Sequence, residues 1–300
     1  MIIDEIDENN KNRVNPIQWF PGHMAKTRKL ISENLPSVDV VLELLDARAV
    51  ISSQNPEIKK ITGRFQRPVL TLMNKSGLAD AEVNRKWVDH YKKNGGYILP
   101  IDCKSGAGIR DIPVKIKDIL SEKTERYKSK GMEGRRLRAM IVGIPNVGKS
   151  SLLNRICLGA KAKVENRPGV TRSKQWVSSN LGIDLLDMPG VLWPKFESGT
   201  VAQNLAFIGS IKDDVLDIAE TAVKLCGVLR KKYPEALAAR YRLVELTGEY
   251  DDYHIFSQIG KNRGYIAAGG EIDFERCAKT ILTEFRGAKI GRISLEEPEL

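Results

Sequence analysis

The stretch "GIPNVGKSS" (143–151) decides the fold. It fits G-x-x-x-x-G-K-[ST], with Gly143, Gly148, Lys149 and Ser150 at the fixed positions. Glycines let backbone N–H groups close around phosphate oxygens. Lys149 is placed to reach the β- and γ-phosphates, and the Ser150 hydroxyl to ligate Mg2+. Asn146, Val147 and Ser151 complete the loop that lines the phosphates. The motif has the context it needs. "RAMIVG" (138–143) reads as a strand before it, and "KSSLLNRICLG" (149–159) as a helix after it, whose positive N-terminal end favours an anion.

Downstream, "DMPG" (187–190) closes another apolar run, "IDLLDMPG" (183–190), 37 residues after Ser150. Asp187 is expected to hold the magnesium ion, and the Gly190 N–H to sense the γ-phosphate. Between the two lies "RPGVTRS" (167–173), where Thr171 is the candidate for a switch residue that ligates Mg2+ and lets go on hydrolysis. Upstream, "PVLTLMN" (68–74) ends in Asn74-Lys75, the start of an N-K-x-D guanine-reading loop made of Asn74, Lys75, Ser76 and Gly77. Its fourth position is Gly77, and the nearest following acid is Asp80. Asp80 directly precedes a helix that begins near Ala81 and stops at Gly95-Gly96, so N-cap is its expected job. Gly77 leaves room for water to bridge the guanine donors, at lower specificity. "DCKSGAG" (102–108) follows a further strand, "YILPID" (97–102). Its amides, around Cys103, are candidates to bond the base carbonyl, and Lys104 to stack on the ring.

Together these are the parts of a guanine-nucleotide switch domain in rotated order, the base-reading loops coming before the phosphate loop. The chain resembles the circularly permuted GTPases, a family of large-subunit assembly factors. The residues that carry the resemblance are "IQWFPGHMAK" (17–26), "DAR" (46–48), "NK" (74–75), the phosphate loop, "RPGVT", "DMPGVLWPKFE" (187–197), "GSIKD" (209–213) and "YPEAL" (233–237). The resemblance implies an α/β fold. It consists of a P-loop GTPase domain with a mostly parallel sheet and permuted motif order, followed by a C-terminal all-helical domain that contacts ribosomal RNA. It implies GTP/GDP and Mg2+ as ligands, with K+ held at Asn146. The expected partners are the large ribosomal subunit precursor and its rRNA. The residues and the resemblance together lead to an expected function of GTP hydrolysis that is slow alone and accelerated on the pre-ribosome, with the nucleotide state gating rRNA binding.

Where many GTPases carry a water-orienting Gln after the D-x-x-G glycine, this chain has Val191. The resemblance offers His23 as the catalytic substitute, beside Lys149 and Thr171. Two other readings stay open. One is a nucleotide-gated RNA-binding scaffold with negligible turnover, and the other a P-loop NTPase whose base specificity is relaxed by Gly77.

Alternating strands and helices before about residue 195, and helices only afterwards, divide the chain into a flexible tail (1–15), a GTPase domain (16–195) and a helical domain (196–300). The segment from about 121 to 137 reads as a linker. Net charge is +10, with +13 on residues 1–195 and −3 on 196–300. The basic, acid-free run from Asn9 to Ser32 and the linker are therefore better candidate phosphate contacts than the helical part. No apolar run is long enough to span a bilayer and the N-terminus has no signal-like core, so a cytoplasmic protein without membrane contact is expected; a monomer is the expected state. The four dispersed cysteines read as reduced thiols.

Overall fold

The computed structural model describes residues 21–132, 135–157, 175–190, 192, 198–244 and 251–299, with backbone alone at 21–25 and 175. Three apolar runs form the centre of one sheet: β1 (Val40–Asp46), β2 (Val69–Asn74) and β4 (Leu137–Gly143). All seven residues of β1 are buried, Glu43 and Asp46 included, as befits a strand covered on both faces. β3 (Tyr97–Pro100) flanks β2, and β6 (Ile183–Asp187) flanks β4. The order is β3-β2-β1-β4-β6-β5, parallel except for β5 (Gln175–Ser178), which pairs antiparallel with β6 at the edge. Sequence patterning did not reveal β5. Only four residues long, it is held by pairing to β6 and by Arg138 stacked on Trp176.

Alternate residues of each strand serve opposite faces. Val40, Leu42 and Leu44 join a cluster with Ile112 and Ile116 of α5 (Ile112–Ile119) and with Leu152 and Leu153 of α7 (Lys149–Ile156). Val41 and Met140 face the other way, against Ile31 of α1 (Pro21–Asn34) and Ile58 of α3 (Pro56–Arg64). Further along that face, Met73 and Leu45 meet Val83 and Trp87 of α4 (Ala81–Lys93).

The segment expected to be a linker is ordered over most of its first half. α6 (Ser121–Ser129) follows α5 after a break at Leu120. It is docked by Lys123 on Asp39 (2.7 Å), by the Tyr127 hydroxyl on the same carboxylate (3.4 Å), and by Arg135 over the Tyr127 ring. A polar helix with so few apolar residues is fixed by these contacts rather than by a greasy face, which is why composition read as linker.

After residue 198 the described chain is helical: α8 (Gly199–Phe207), α9 (Ile218–Lys232), α10 (Pro234–Tyr241), α11 (Asp252–Asn262) and α12 (Phe274–Arg286). Its apolar residues, among them Phe207, Leu225, Phe256 and Phe285, belong to the same cluster as one face of the sheet. The last residues return to the sheet. The N–H groups of Ile293 and Leu295 donate to the carbonyls of Leu78 and Arg48, and Arg292 donates to the Ala79 and Ser76 carbonyls. Glu296 accepts from the amides of Ile51 and Ser52 at the start of α2 (Val50–Ser53). Nothing in the residue pattern of 290–299 announced this strap.

Candidate nucleotide site

Strand order reverses between β1 and β4, and in open parallel sheets the ligand crevice lies at such a reversal, at the carboxyl ends of the strands. Asp46, Asn74 and Gly143 end their strands there, and the phosphate loop leaves β4 into α7. Gly148 sits at φ +108°, a conformation open to glycine, and a Cβ there would collide with the Asn74 amide. The motif glycine is thus required twice, by the backbone turn and by the neighbouring Asn74 side chain.

Lys149 is buried, its Nζ donating to the carbonyls of Gly143 and Ile144, both at 3.0 Å. Burial pulls its pKa down to about 8, against the opposing pull of Asp187. The D-x-x-G loop lies directly over it, since a Cβ on Gly190 would stand 2.6 Å from Lys149 Nζ. Asp187 is buried at the end of β6, and Ser150 is partly exposed on the first turn of α7. A hydroxyl and a carboxylate are hard oxygen donors suited to magnesium. Among the described residues there is no cluster of three or more His, Cys, Asp or Glu that could hold a metal ion.

Asn74 joins the two halves of the crevice. Its Nδ2 donates to the Val147 carbonyl of the phosphate loop (2.7 Å), and its Oδ1 accepts from the Cys103 N–H (3.0 Å). Lys75, in the left-handed region at φ +61°, sends its Nζ to Asp46 Oδ2 and to the Asn146 carbonyl, both at 2.9 Å. Asp46 also receives Arg48 through both carboxylate oxygens. Burial alone would raise the Asp46 pKa, but the two cations outweigh it and hold the carboxyl well below the usual range. Asn146, at φ +59°, gives its Nδ2 to the Gly209 carbonyl of the helical part (2.8 Å). Sequence reasoning missed Asp46 and Arg48 as the anchor of the 74–77 loop. Two buried charges at the end of a central strand were the signal available.

The base side differs from expectation in two respects. The amides around Cys103 are already bonded within the protein. Cys103 N–H goes to Asn74, while those of Lys104 (2.9 Å) and Ser105 (2.8 Å) go to Asp102 Oδ1. The space beside Gly77, expected to admit water, is taken by a carboxylate: Asp102 Oδ2 lies 3.0 Å from where a Gly77 Cβ would be. Ser76 is fixed by its N–H to the Ile101 carbonyl (3.1 Å), and Lys104 is exposed at the rim. The Cys103 thiol is buried and pushed up to about 12, so it stays neutral. Asp80 caps α4, accepting from the amides of Glu82 (2.8 Å) and Val83 (3.4 Å). His23 lies in the first turn of α1, its side chain outside what the structure describes. Thr171 and Val191 lie outside the described residues altogether, as do residues 1–15.

Comparison with known proteins settles the kinship. Along 283 residues the chain is 42% identical to ribosome biogenesis GTPase A of Bacillus cereus, covering 94% of each, and 44% identical to that of Priestia megaterium, covering 94% and 97%. The chain belongs to the ribosome biogenesis GTPase A family. It is thus a GTPase of circularly permuted P-loop fold, with GTP and GDP as its nucleotides. Residues 138–241 match the family described as 50S ribosome-binding GTPase. The GNP-bound crystal structure of YlqF from T. maritima superposes with a TM-score of 0.61 at 26% identity, covering 91% of this chain and 99% of that one. No helix among the described residues is long and apolar enough to cross a membrane.

Proposed function

We propose that the chain is a GTP-hydrolysing assembly factor for the large ribosomal subunit, working as a cytoplasmic monomer, slow alone and accelerated on the pre-ribosome. The observation that carries this reading is the convergence of the permuted loops on Asn74, which bonds the phosphate loop and the 102–105 loop at once. In it, residues 16–195 bind and hydrolyse the nucleotide and residues 196–300 contact rRNA.

Lys149 leaves its two carbonyls for the β- and γ-phosphates, and the main chain of 146–151 wraps them. Ser150, Asp187 and Thr171 hold magnesium, which when bound neutralises charge between the phosphates. Asn146 keeps its side-chain oxygen for a potassium ion while its Nδ2 holds Gly209. That bond gives the phosphate loop a direct grip on the helical part. Displacing it on nucleotide exchange is the proposed route from γ-phosphate to rRNA. His23 positions the attacking water in place of the Gln absent at Val191.

The test is single-turnover GTP hydrolysis with and without purified large subunits, together with subunit affinity in GDP and in a GTP analogue. Stimulation of at least about tenfold, lost in His23→Ala, is expected. Equal rates with and without subunits, and equal affinities in both nucleotides, would overturn the reading.

A further inference from the structure

We propose that Asp102 is the guanine-reading carboxylate of this protein, delivered from the loop after β3 to the place that position 77 cannot fill. The assignment rests on the GTP-binding reading above and adds the residue that selects the base.

The placement comes first. The Asp102 Oδ2 stands 3.0 Å from the position of a Cβ on Gly77. Ordinary bond lengths and angles put an aspartate's own carboxylate oxygens roughly 2.4 Å from its Cβ. The oxygen of Asp102 thus lies close to the shell that a fourth-position aspartate at 77 would occupy. The parallel pairing of β2 with β3 makes this possible. Met73 stands beside Pro100, so the loops that follow run side by side.

The side chain is also aimed and held. Oδ1 accepts from the Lys104 N–H (2.9 Å), the Ser105 N–H (2.8 Å) and the Ser105 hydroxyl (3.2 Å). The Asp102 N–H donates to the Ala107 carbonyl (3.0 Å), and its own carbonyl accepts from Gly106 (2.7 Å). Asp102 is only 8% exposed. Oδ2 receives no hydrogen bond from any described residue, so one oxygen fixes the carboxylate and the other is left beside Gly77 with its acceptor capacity unused. An acceptor fixed before the ligand arrives loses little freedom on binding.

The chemistry suits guanine. Its N1–H and 2-amino group are adjacent donors, whereas adenine offers an N1 acceptor and a C–H. A carboxylate oxygen with both acceptor directions open bonds the first and repels the second. Gly77 and Asp102 then form a matched pair, the missing side chain at one making room for the carboxylate of the other. An acid at both positions would set two negative groups in contact.

The experiment exchanges a single atom. Asp102→Asn keeps the Oδ1 acceptor that closes the turn and turns the free oxygen into an amide donor. Competition of GTP, ITP, XTP and ATP against labelled GDP is measured on the full chain, beside thermal melting. ITP lacks the 2-amino group, and XTP carries a carbonyl there. The variant should melt as the wild type and bind GTP about 10- to 100-fold more weakly. Its GTP-over-ITP preference should collapse, and XTP should gain relative to GTP. A second arm moves the carboxylate. Gly77→Asp alone should weaken GTP binding, and Gly77→Asp with Asp102→Ser should restore guanine preference. Unchanged preferences in Asp102→Asn, or tighter GTP binding in Gly77→Asp alone, would overturn the assignment. A wild type that binds ATP as well as GTP would instead overturn the GTP-specific reading itself.

Discussion

The phosphate side and the base side of the crevice are built by different means. The phosphate side works through the main chain. Its loop needs Gly148 at φ +108°, and any Cβ there meets Asn74. Backbone amides cannot be lent from another segment, so this side keeps its motif letter for letter. The base side works through side-chain atoms, and an acceptor needs only to reach a point in space. Two adjacent loops border that point, at Gly77 and Asp102. A motif that encodes backbone geometry is therefore rigid in sequence, whereas one that encodes a side-chain function can change its address.

The strongest way to break the phosphate side alone is Lys149→Ala. Nothing else described reaches from α7 to the same pair of carbonyls, and the charge it brings to the phosphates is lost. We expect kcat/KM for GTP to fall by about two to three orders of magnitude. The GTP-over-ITP preference should stay as it is, because Lys149 touches no part of the base loops. Steady-state kinetics and competition binding check both halves. Loss of the preference would mean that the two sides are not separable.

Asn74→Ala should injure both sides together. It strips the Val147 carbonyl and the Cys103 amide of their buried partner. Buried polar groups left unsatisfied cost about 1–3 kcal/mol each, so a loss near 3 kcal/mol is expected in urea unfolding. GTP affinity and base preference should fall in parallel. A variant that kept its stability would show that the two loops hold their places without this post.

Much of this is legible in the sequence. The phosphate loop, D-x-x-G and the Asn74-Lys75 pair are contiguous motifs whose spacing is set by one turn of chain, and strand and helix flank them in order. Asp80 was readable as a cap because capping is local to the helix it starts. What escaped was relational. β5 is four residues long and exists through its partner, α6 through Asp39, and the 290–299 strap through carbonyls more than 200 residues away. The Gly77–Asp102 pair escaped for the same reason. Each residue alone reads as an ordinary turn, and only the β2–β3 register brings them together. An acid in the loop after the next strand, coinciding with a glycine where an acid belongs, was the usable signal.

A gentler probe of the same comparison is pH. With Lys149 at about 8 in the free protein, its ammonium is progressively lost above that value. The phosphates bind the ammonium, so nucleotide affinity should drop about threefold from pH 7.5 to 8.5, the ratio of the charged fractions. Stability of the nucleotide-free protein should move the opposite way. The folded pKa lies below the unfolded value, so the burial penalty is full below about 8 and eases as pH rises through it. Isothermal titration and unfolding at the same pH values measure the two signs. Lys149→Ala should abolish both, whereas Asp102→Asn should leave both in place.

The smallest expected effect on nucleotide binding tests which acid reads the base. Asp80 is the acid nearest to Gly77 in sequence, and Asp102 is the one whose carboxylate lies beside it in space. Asp80 Oδ1 is already engaged by the first amides of α4, and its own N–H is tied to the Ser294 hydroxyl (3.2 Å). Turning that carboxylate toward the base would uncap the helix and pull the loop off the C-terminal strap. Asp80→Ala should therefore cost about 1 kcal/mol, the usual value of an N-cap, visible as a lower urea midpoint with an unchanged slope. GTP, ITP and XTP should compete in wild-type ratios. If those ratios moved toward indifference while the helix lost no stability, the reading acid would be the one that follows Gly77 in the chain. The base side would then obey its motif as closely as the phosphate side does.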